Sequence, residues 1–357
     1  MRAFIIILTL LILSAALFSA WAYKELKTAR EHTHANQYLE IKRGTNPEEV
    51  INTLTNAGVI RRGWLFKLYV RLSGSGPRLK AGEYRFASPI APVEVLRKLE
   101  EGEQRLSRLT VIEGWTRWDI AAQMARLPEL KLQSPEEALA LMNEVSLIAD
   151  IDPIASNLEG YLYPETYSYP PDTSARDVIA LMVSRFRQVW EGRFSEVARS
   201  SGRSPREIVT VASLVETEAK LNEERPLVAS VIYNRLRLNM ALGIDSTVIY
   251  ASKLAGKWRN DGKVYQSDLD RDSPYNTRKV VGLPPGPLAS PGALSIEAAL
   301  SPAATDYLYY VREPSRNDGA HNFYATESDF QRGVQRLREW ERTRDAQANT
   351  NTAATPQ

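Results

Sequence analysis

Residues 204–220 read Ser-Pro-Arg-Glu-Ile-Val-Thr-Val-Ala-Ser-Leu-Val-Glu-Thr-Glu-Ala-Lys, and the reading of the whole chain turns on them. The start has the chemistry of a helix N-terminus. Ser204 can cap, Pro205 suits the first helical position, and Glu207 stands where a capping box needs its acid. Ile208, Val211, Ala212, Val215 and Ala219 then recur at helical spacing and predict one buried stripe. At about 100° per residue, Glu216 and Glu218 fall on opposite flanks of that stripe. Glu216 has Lys220 four residues on, the spacing of a solvated ion pair. Glu218 instead lies between Val211, Leu214 and Val215, so its carboxyl leaves the helix over apolar surface. Such a setting raises a carboxyl pKa and makes a proton donor at neutral pH. The plain alternative is an exposed glutamate with no chemical role.

Around this helix the chain has 357 residues, enough for about two domains with appendages. Its 43% hydrophobic and 25% charged content is that of a globular protein. Forty-five basic residues against 43 acidic ones give a net charge of +2, and no long basic run occurs, which argues against a nucleic-acid partner. With no cysteine there is no disulfide, thiolate nucleophile or cysteine-held metal. The three histidines, His32, His34 and His321, do not make a His-rich metal site, so neither metal nor cofactor is expected.

Residues 4–23 carry no charge and are long enough to cross a bilayer once. Ala20-Trp21-Ala22 has the form of a signal-peptide cleavage site. Against cleavage stand the length of the run and the interfacial character of Trp21 and Tyr23, so an uncleaved anchor in the lipid bilayer is expected. Lys24 and Lys27 follow while Arg2 precedes, and charge alone leaves the orientation open. Residues 24–36 read as a polar linker.

Short elements come next. A strand at 38–42, helices opening at Pro47 and Trp64, a turn into a strand at 79–86 and a helix from Pro92 closed by Gly102 predict a compact α+β module over 37–105. Beyond it the pattern is mainly helical. Thr116 and Asp119 predict a capped helix, Ser134-Pro135-Glu136-Glu137 another, and 175–200 a long one. A helix is expected over 226–240, then about a hundred residues with little regular pattern, in which rigid turns lead to a helix at 296–300, a strand is read at 307–311 with 322–324 beside it, and a last helix follows over 330–342. Residues 343–357 are polar and alanine-rich, and disorder is expected there.

Several stretches in this order resemble the YceG-like family of endolytic peptidoglycan transglycosylases. They are 79–86 (LKAGEYRF), 113–115 (EGW), 158–167 (LEGYLYPETY), 212–218 (ASLVETE), 228–236 (VASVIYNRL), 245–250 (DSTVIY), 275–277 (YNT), 282–286 (GLPPG) and 321–323 (HNF). The resemblance implies an α+β protein in the cell inner membrane: residues 1–3 cytoplasmic, an anchor, a small LysM-like module, and over 106–342 a periplasmic catalytic domain with a lysozyme-like glutamate site. It implies peptidoglycan glycan strands as substrate and peptidoglycan synthases of the penicillin-binding kind as partners. The second glutamate of the family's A-S-x-x-E-x-E pattern is Glu218, the residue the helical wheel also selects. Ser246 is a departure, since relatives often carry proline there.

A lytic transglycosylase manages with one carboxyl, because the C6 hydroxyl of the sugar being cut is tethered to the carbon it attacks. Asp245 and Glu216 are the candidate second carboxylates, or else a turn-capping aspartate and an ion pair. Substrate contact is assigned to Glu216, Asp245, Thr247, Tyr275, Asn276, Thr277, Tyr163 and Asn322, with stacking on sugars the part of the tyrosines. A muramidase-type hydrolase using water and an anchored cell-wall-binding scaffold are the alternatives.

Overall fold

A computed structural model describes residues 2–35, 37–42, 44–102 and 106–353. The chain divides into two compact units between Ser107 and Arg108. The module end expected at 105 lies outside the described residues, as do Met1 and residues 354–357 of the expected tail.

The N-terminal unit opens with α1 (Arg2–Lys27), whose apolar residues stand in the open: Phe4, Leu10 and Leu17 are all more than half exposed. It is long and apolar enough to cross a membrane. α1 takes in the first residues of the expected polar linker, and the segment after it is held to the edges of the module. Arg30 makes an isolated antiparallel bridge with Ile90, the His32 amide donates to Ser88 Oγ, and Glu25 pairs with both Arg30 and Arg62. Then come β1 (Tyr38–Ile41), α2 (Pro47–Asn56), α3 (Gly63–Leu72), β2 (Gly82–Arg85) and α4 (Pro92–Glu101). β1 and β2 are antiparallel, with Leu39 opposite Tyr84, so two helices lie between the paired strands in sequence. Asn46 caps α2 by accepting from the Glu49 amide, as its sequence predicts. Val50, Ile51 and Leu54 of α2 and Val95, Leu96 and Leu99 of α4 close with Tyr84 and Phe86 into one core.

The second unit is mostly helical. β3 (Ser107–Thr110) leads to α5 (Arg117–Ala125), where Thr116 and Asp119 form the expected capping box. α6 (Pro135–Leu141) begins at the expected place, yet Ser134 makes no side-chain cap. β4 (Thr166–Tyr169) pairs with β3. The helix expected over 175–200 is three pieces: α7 (Ala175–Val189), a π-helical turn (Trp190–Phe194) and α8 (Ser195–Ser201), ended by Gly202 in a left-handed conformation. Next are α9 (Pro205–Glu218), α10 (Arg225–Arg237), α11 (Asp245–Leu254), α12 (Gln266–Leu269) and α13 (Ala293–Leu300). The stretch expected to be irregular therefore holds two helices, α11 and α12. β5 (Tyr309–Arg312) and β6 (His321–Tyr324) make an antiparallel hairpin, and α14 (Glu327–Ala353) follows. α14 runs past the Arg342 end expected, since no glycine or proline interrupts residues 343–353.

α9 is the axis of this unit. Ser204 accepts from the Glu207 amide and so caps it, while residues 208–215 are buried without exception. The sequence predicts a stripe, but α10, α11 and α13 pack around α9 and bury its whole circumference. The loop before β4 touches it at Gly160, which has φ +82° and lies where a Cβ would meet Pro287 Cβ at 2.4 Å and Val209 Cγ1 at 3.0 Å. Gly160→Ala is therefore expected to lower stability by about 2 kcal/mol or more, from left-handed strain plus overpacking. Denaturant unfolding checks this, with Gly262→Ala (positive φ in open space) as the comparison that should lose only the backbone part.

Candidate active site

α9 is buried on every side from Ile208 to Val215, so charge stands only in its end turns, Arg206 and Glu207 in the first and Glu216 and Glu218 in the last. Glu216 and Glu218 thus sit at the helix end whose dipole disfavours an anion. The structure resolves the two carboxyls in opposite ways.

Glu216 does not pair with Lys220. Its side chain is only 5% exposed, and Oε2 lies 2.8 Å from Arg225 Nη1 and accepts the Gly292 amide at 2.8 Å. Arg225, itself 7% exposed, also donates to Ser295 Oγ and lies 3.9 Å from the Glu113 carboxylate. This pair ties the end of α9 to the starts of α10 and α13. The Glu216–Lys220 pair expected from spacing is overturned because a guanidinium nine residues along offers a buried, better-bonded partner. Glu113, half exposed, has its pKa raised by burial and by the Glu216 charge.

Glu218 has no cationic partner within ion-pairing distance among the described residues. Oε2 accepts from the Tyr310 hydroxyl at 2.9 Å and Oε1 from Ser246 Oγ at 3.4 Å. Burial pushes its pKa up most, and the Asp245 charge adds to this. The Tyr310 hydrogen bond, His321 and Ser246 pull the other way. The carboxyl opens on a recess of about 320 Å³ lined also by Lys220, Arg312, Asn317, Gly319 and His321. His321 Nδ1 is 2.8 Å from Glu224 Oε2, and the His321 amide donates to Glu224 Oε1 at 2.8 Å, which fixes the ring. The His321 and Tyr310 rings meet edge to face at 5.4 Å.

A raised pKa alone does not mark this place. Glu159, 3% exposed, is pushed up to about 7 by burial, yet it accepts from the Arg117 amide and the Tyr250 hydroxyl and does not line the recess beside Glu218. Nor does volume mark it. Larger hollows, of about 740 and 570 Å³, lie in the N-terminal unit and are lined by residues of that unit alone. Glu218 combines both properties.

The other residues assigned to substrate contact scatter. Asp245, first residue of α11, is near enough to raise Glu218 but is paired with Arg278 at 2.6 Å. Thr247, Asn276 and Thr277 are buried. Asn276 donates to the Leu269 and Arg271 carbonyls, and Thr277 Oγ1 lies 2.9 Å from Thr247 Oγ1. They build the loop beneath Asp245 and Ser246 rather than reach for a sugar. Tyr163 packs against the core with the Arg185 guanidinium 5.9 Å from its ring, and Tyr275 lies 4.7 Å from Tyr250. Asn322, opposite Val311, bonds Glu313, whereas Tyr310 and Arg312 occupy the alternate face of β5.

Ser246, Tyr310, His321, Lys220 and Arg312 are the residues around Glu218 that the sequence reading did not place there. The usable signal was the two-residue period of β5 and β6, which puts Tyr310 and Arg312 on one face with Phe323 and His321 opposite them.

The sequence profile of the YceG-like family matches residues 39–336. A Bacillus subtilis protein named endolytic murein transglycosylase is 35% identical over 289 residues, 76% of this chain and 78% of that one. A Streptococcus pneumoniae protein of the same name is 31% identical over 317 residues, 82% of this chain and 57% of its relative. Among solved structures, a yceG-like protein from Listeria monocytogenes is similar with a TM-score of 0.57 at 32% identity, covering 83% of this chain and 97% of that one.

Removing one partner of a buried ion pair leaves the other charged and unpaired. Arg225→Ala is expected to lose about 3–5 kcal/mol of stability, and adding Glu216→Gln should restore part of it. Paired denaturant curves for the single and double variants measure both values.

Proposed function

Since the chain belongs to the YceG-like family, we propose that it is a membrane-anchored endolytic murein transglycosylase with Glu218 as its acid and base. The observation that carries this reading is a carboxyl of raised pKa, hydrogen-bonded by Tyr310 and Ser246 and open to a recess at the end of a buried helix. Protonated Glu218 gives its proton to the oxygen bridging MurNAc to GlcNAc as the C1–O bond breaks. The Tyr310 and Ser246 hydroxyls stabilise the carboxylate left behind. That carboxylate takes the proton of the MurNAc C6 hydroxyl as O6 bonds to C1, so Glu218 ends protonated and the strand ends in 1,6-anhydroMurNAc. No second carboxylate is required. Asp245, held by Arg278, tunes Glu218, and Glu216 with Arg225 positions it.

α1 serves as a single inner-membrane anchor, the βααβ unit is a LysM-like module, and the second unit works in the periplasm. Trimming or terminating strands as synthases extend them is the role that fits such an anchored cutter.

Mass spectrometry of uncrosslinked glycan digested by the protein is expected to show internal cuts with new ends one water lighter than reducing MurNAc and resistant to borohydride. Reducible ends that take up oxygen from labelled water would instead make it a hydrolase, and unchanged strand length a scaffold. Glu218→Gln is expected to fold and to lose about a hundredfold or more in rate.

The pH dependence has a definite sign. Glu218 must be protonated to act, so kcat/KM falls as pH rises through its raised pKa. The Tyr310 hydroxyl favours the ionised form, and Tyr310→Phe removes that preference. The basic limb of the pH–rate profile is therefore expected to move to higher pH in Tyr310→Phe, and a shift to lower pH would show that the hydroxyl acts otherwise.

A further inference from the structure

The recess beside Glu218 carries two cations, Lys220 and Arg312, with no carboxylate partner among the described residues. Lys220, released from the pairing its spacing suggests, makes no ion pair or hydrogen bond among the described residues. Its aliphatic stem lies against Gly319, where a Cβ would meet Lys220 Cδ at 2.6 Å. Arg312 stands directly across the strands from His321. Its guanidinium is 5.6 Å from the Trp340 ring, a contact that holds the group without neutralising it. Of the carboxylates nearby, Glu224 is engaged with His321, Asp245 with Arg278, Asp318 with Arg316, and Glu313 with Ser315 and Asn322, while the exposed Glu223 lies near Arg316. Glu218, with its raised pKa, is held toward the neutral form. The recess thus has uncompensated positive charge on two sides and a volume of about 320 Å³, enough for a small acidic substituent.

We infer that Lys220 and Arg312 form a carboxylate subsite, taking an acidic group borne by the MurNAc residue next to the bond that Glu218 cuts. The inference rests on the transglycosylase reading of Glu218 and names the part of the substrate recognised beside it. A MurNAc unit can offer such a group in two ways. Its lactyl ether ends in a carboxylate when no peptide is attached, and a peptide stem carries free carboxylates of its own. A neutral sugar strand offers neither. Binding there would seat the ring against Glu218 through a charged tether, which gives specificity for murein over uncharged N-acetylated glycans.

The test uses the full-length protein in detergent with three substrates: stem-bearing uncrosslinked strands, the same strands with their carboxylates amidated, and strands stripped of peptide. The quantity read is the ratio of kcat/KM on acidic to amidated strands. It is expected to fall about three- to tenfold in Lys220→Gln and in Arg312→Gln, mainly through KM, and to be largely restored in Lys220→Arg. In the parent protein it should shrink as salt is raised. A ratio unchanged in both variants, or equal losses on acidic and amidated strands, overturns the subsite. Dependence on Lys220 that persists on stripped strands places the lactyl carboxylate in the recess. Dependence confined to stem-bearing strands places a stem carboxylate there. Calorimetric binding of the same strands to Glu218→Gln reads the subsite without cleavage, so an inactive parent protein would sink the transglycosylase reading alone. Equal affinity of Glu218→Gln for acidic and amidated strands would sink the subsite.

Discussion

A helix sheathed on all sides can keep charged groups only where it emerges, and at its C-terminal end α9 emerges at Glu216 and Glu218. Two carboxyls in one turn at the negative end of a helix dipole repel each other unless their environments differ. Arg225 makes them differ. By bonding Glu216 it holds that carboxylate and ties α9 to α10 and to the loop entering α13. Glu218 is left against a low-dielectric wall that favours its protonated form, with the Tyr310 and Ser246 hydroxyls opposing part of that effect.

The elements around this turn are short for a physical reason. The β5–β6 hairpin is two strands of four residues and would be marginal alone. It is held by the Glu224 clamp on His321, by Asn234 and Arg235 of α10 donating to the Thr305, Tyr307 and Leu308 carbonyls, and by α14 packing Phe330 on Tyr309. Those contacts hold the Tyr310 hydroxyl within hydrogen-bonding distance of Glu218. The same arrangement brings Arg312 and His321 to one wall of the recess. Tyr310, which bonds Glu218, and Arg312 and His321, which line the recess, are therefore neighbouring positions on a single hairpin.

On the opposite side the 273–277 loop does comparable work without touching the recess. Thr277 and Thr247 bond each other and the backbone about Ile244, and the Asn276 amide closes on two carbonyls. The result is a fixed N-terminus for α11, from which Ser246 reaches Glu218 and Asp245 reaches Arg278. Serine at 246 thus supplies one of the two hydroxyls that hydrogen-bond Glu218.

By itself the sequence determined the helical grammar. Asn46, Thr116 and Ser204 cap where they were expected to, and apolar spacing located α9 and the hydrophobic α1, because caps and periodicity act over a few residues. It also put Glu218 against apolar surface. The tertiary structure alone decided which charges meet. Glu216 chose Arg225 over Lys220, Asn276 and Thr277 went inside, and Tyr310 and Ser246 came to Glu218 from 92 and 28 residues away. Local spacing sets what is possible on one helix face. A partner brought by another element wins when it offers a buried, well-bonded contact, and no pattern along the chain encodes that distance.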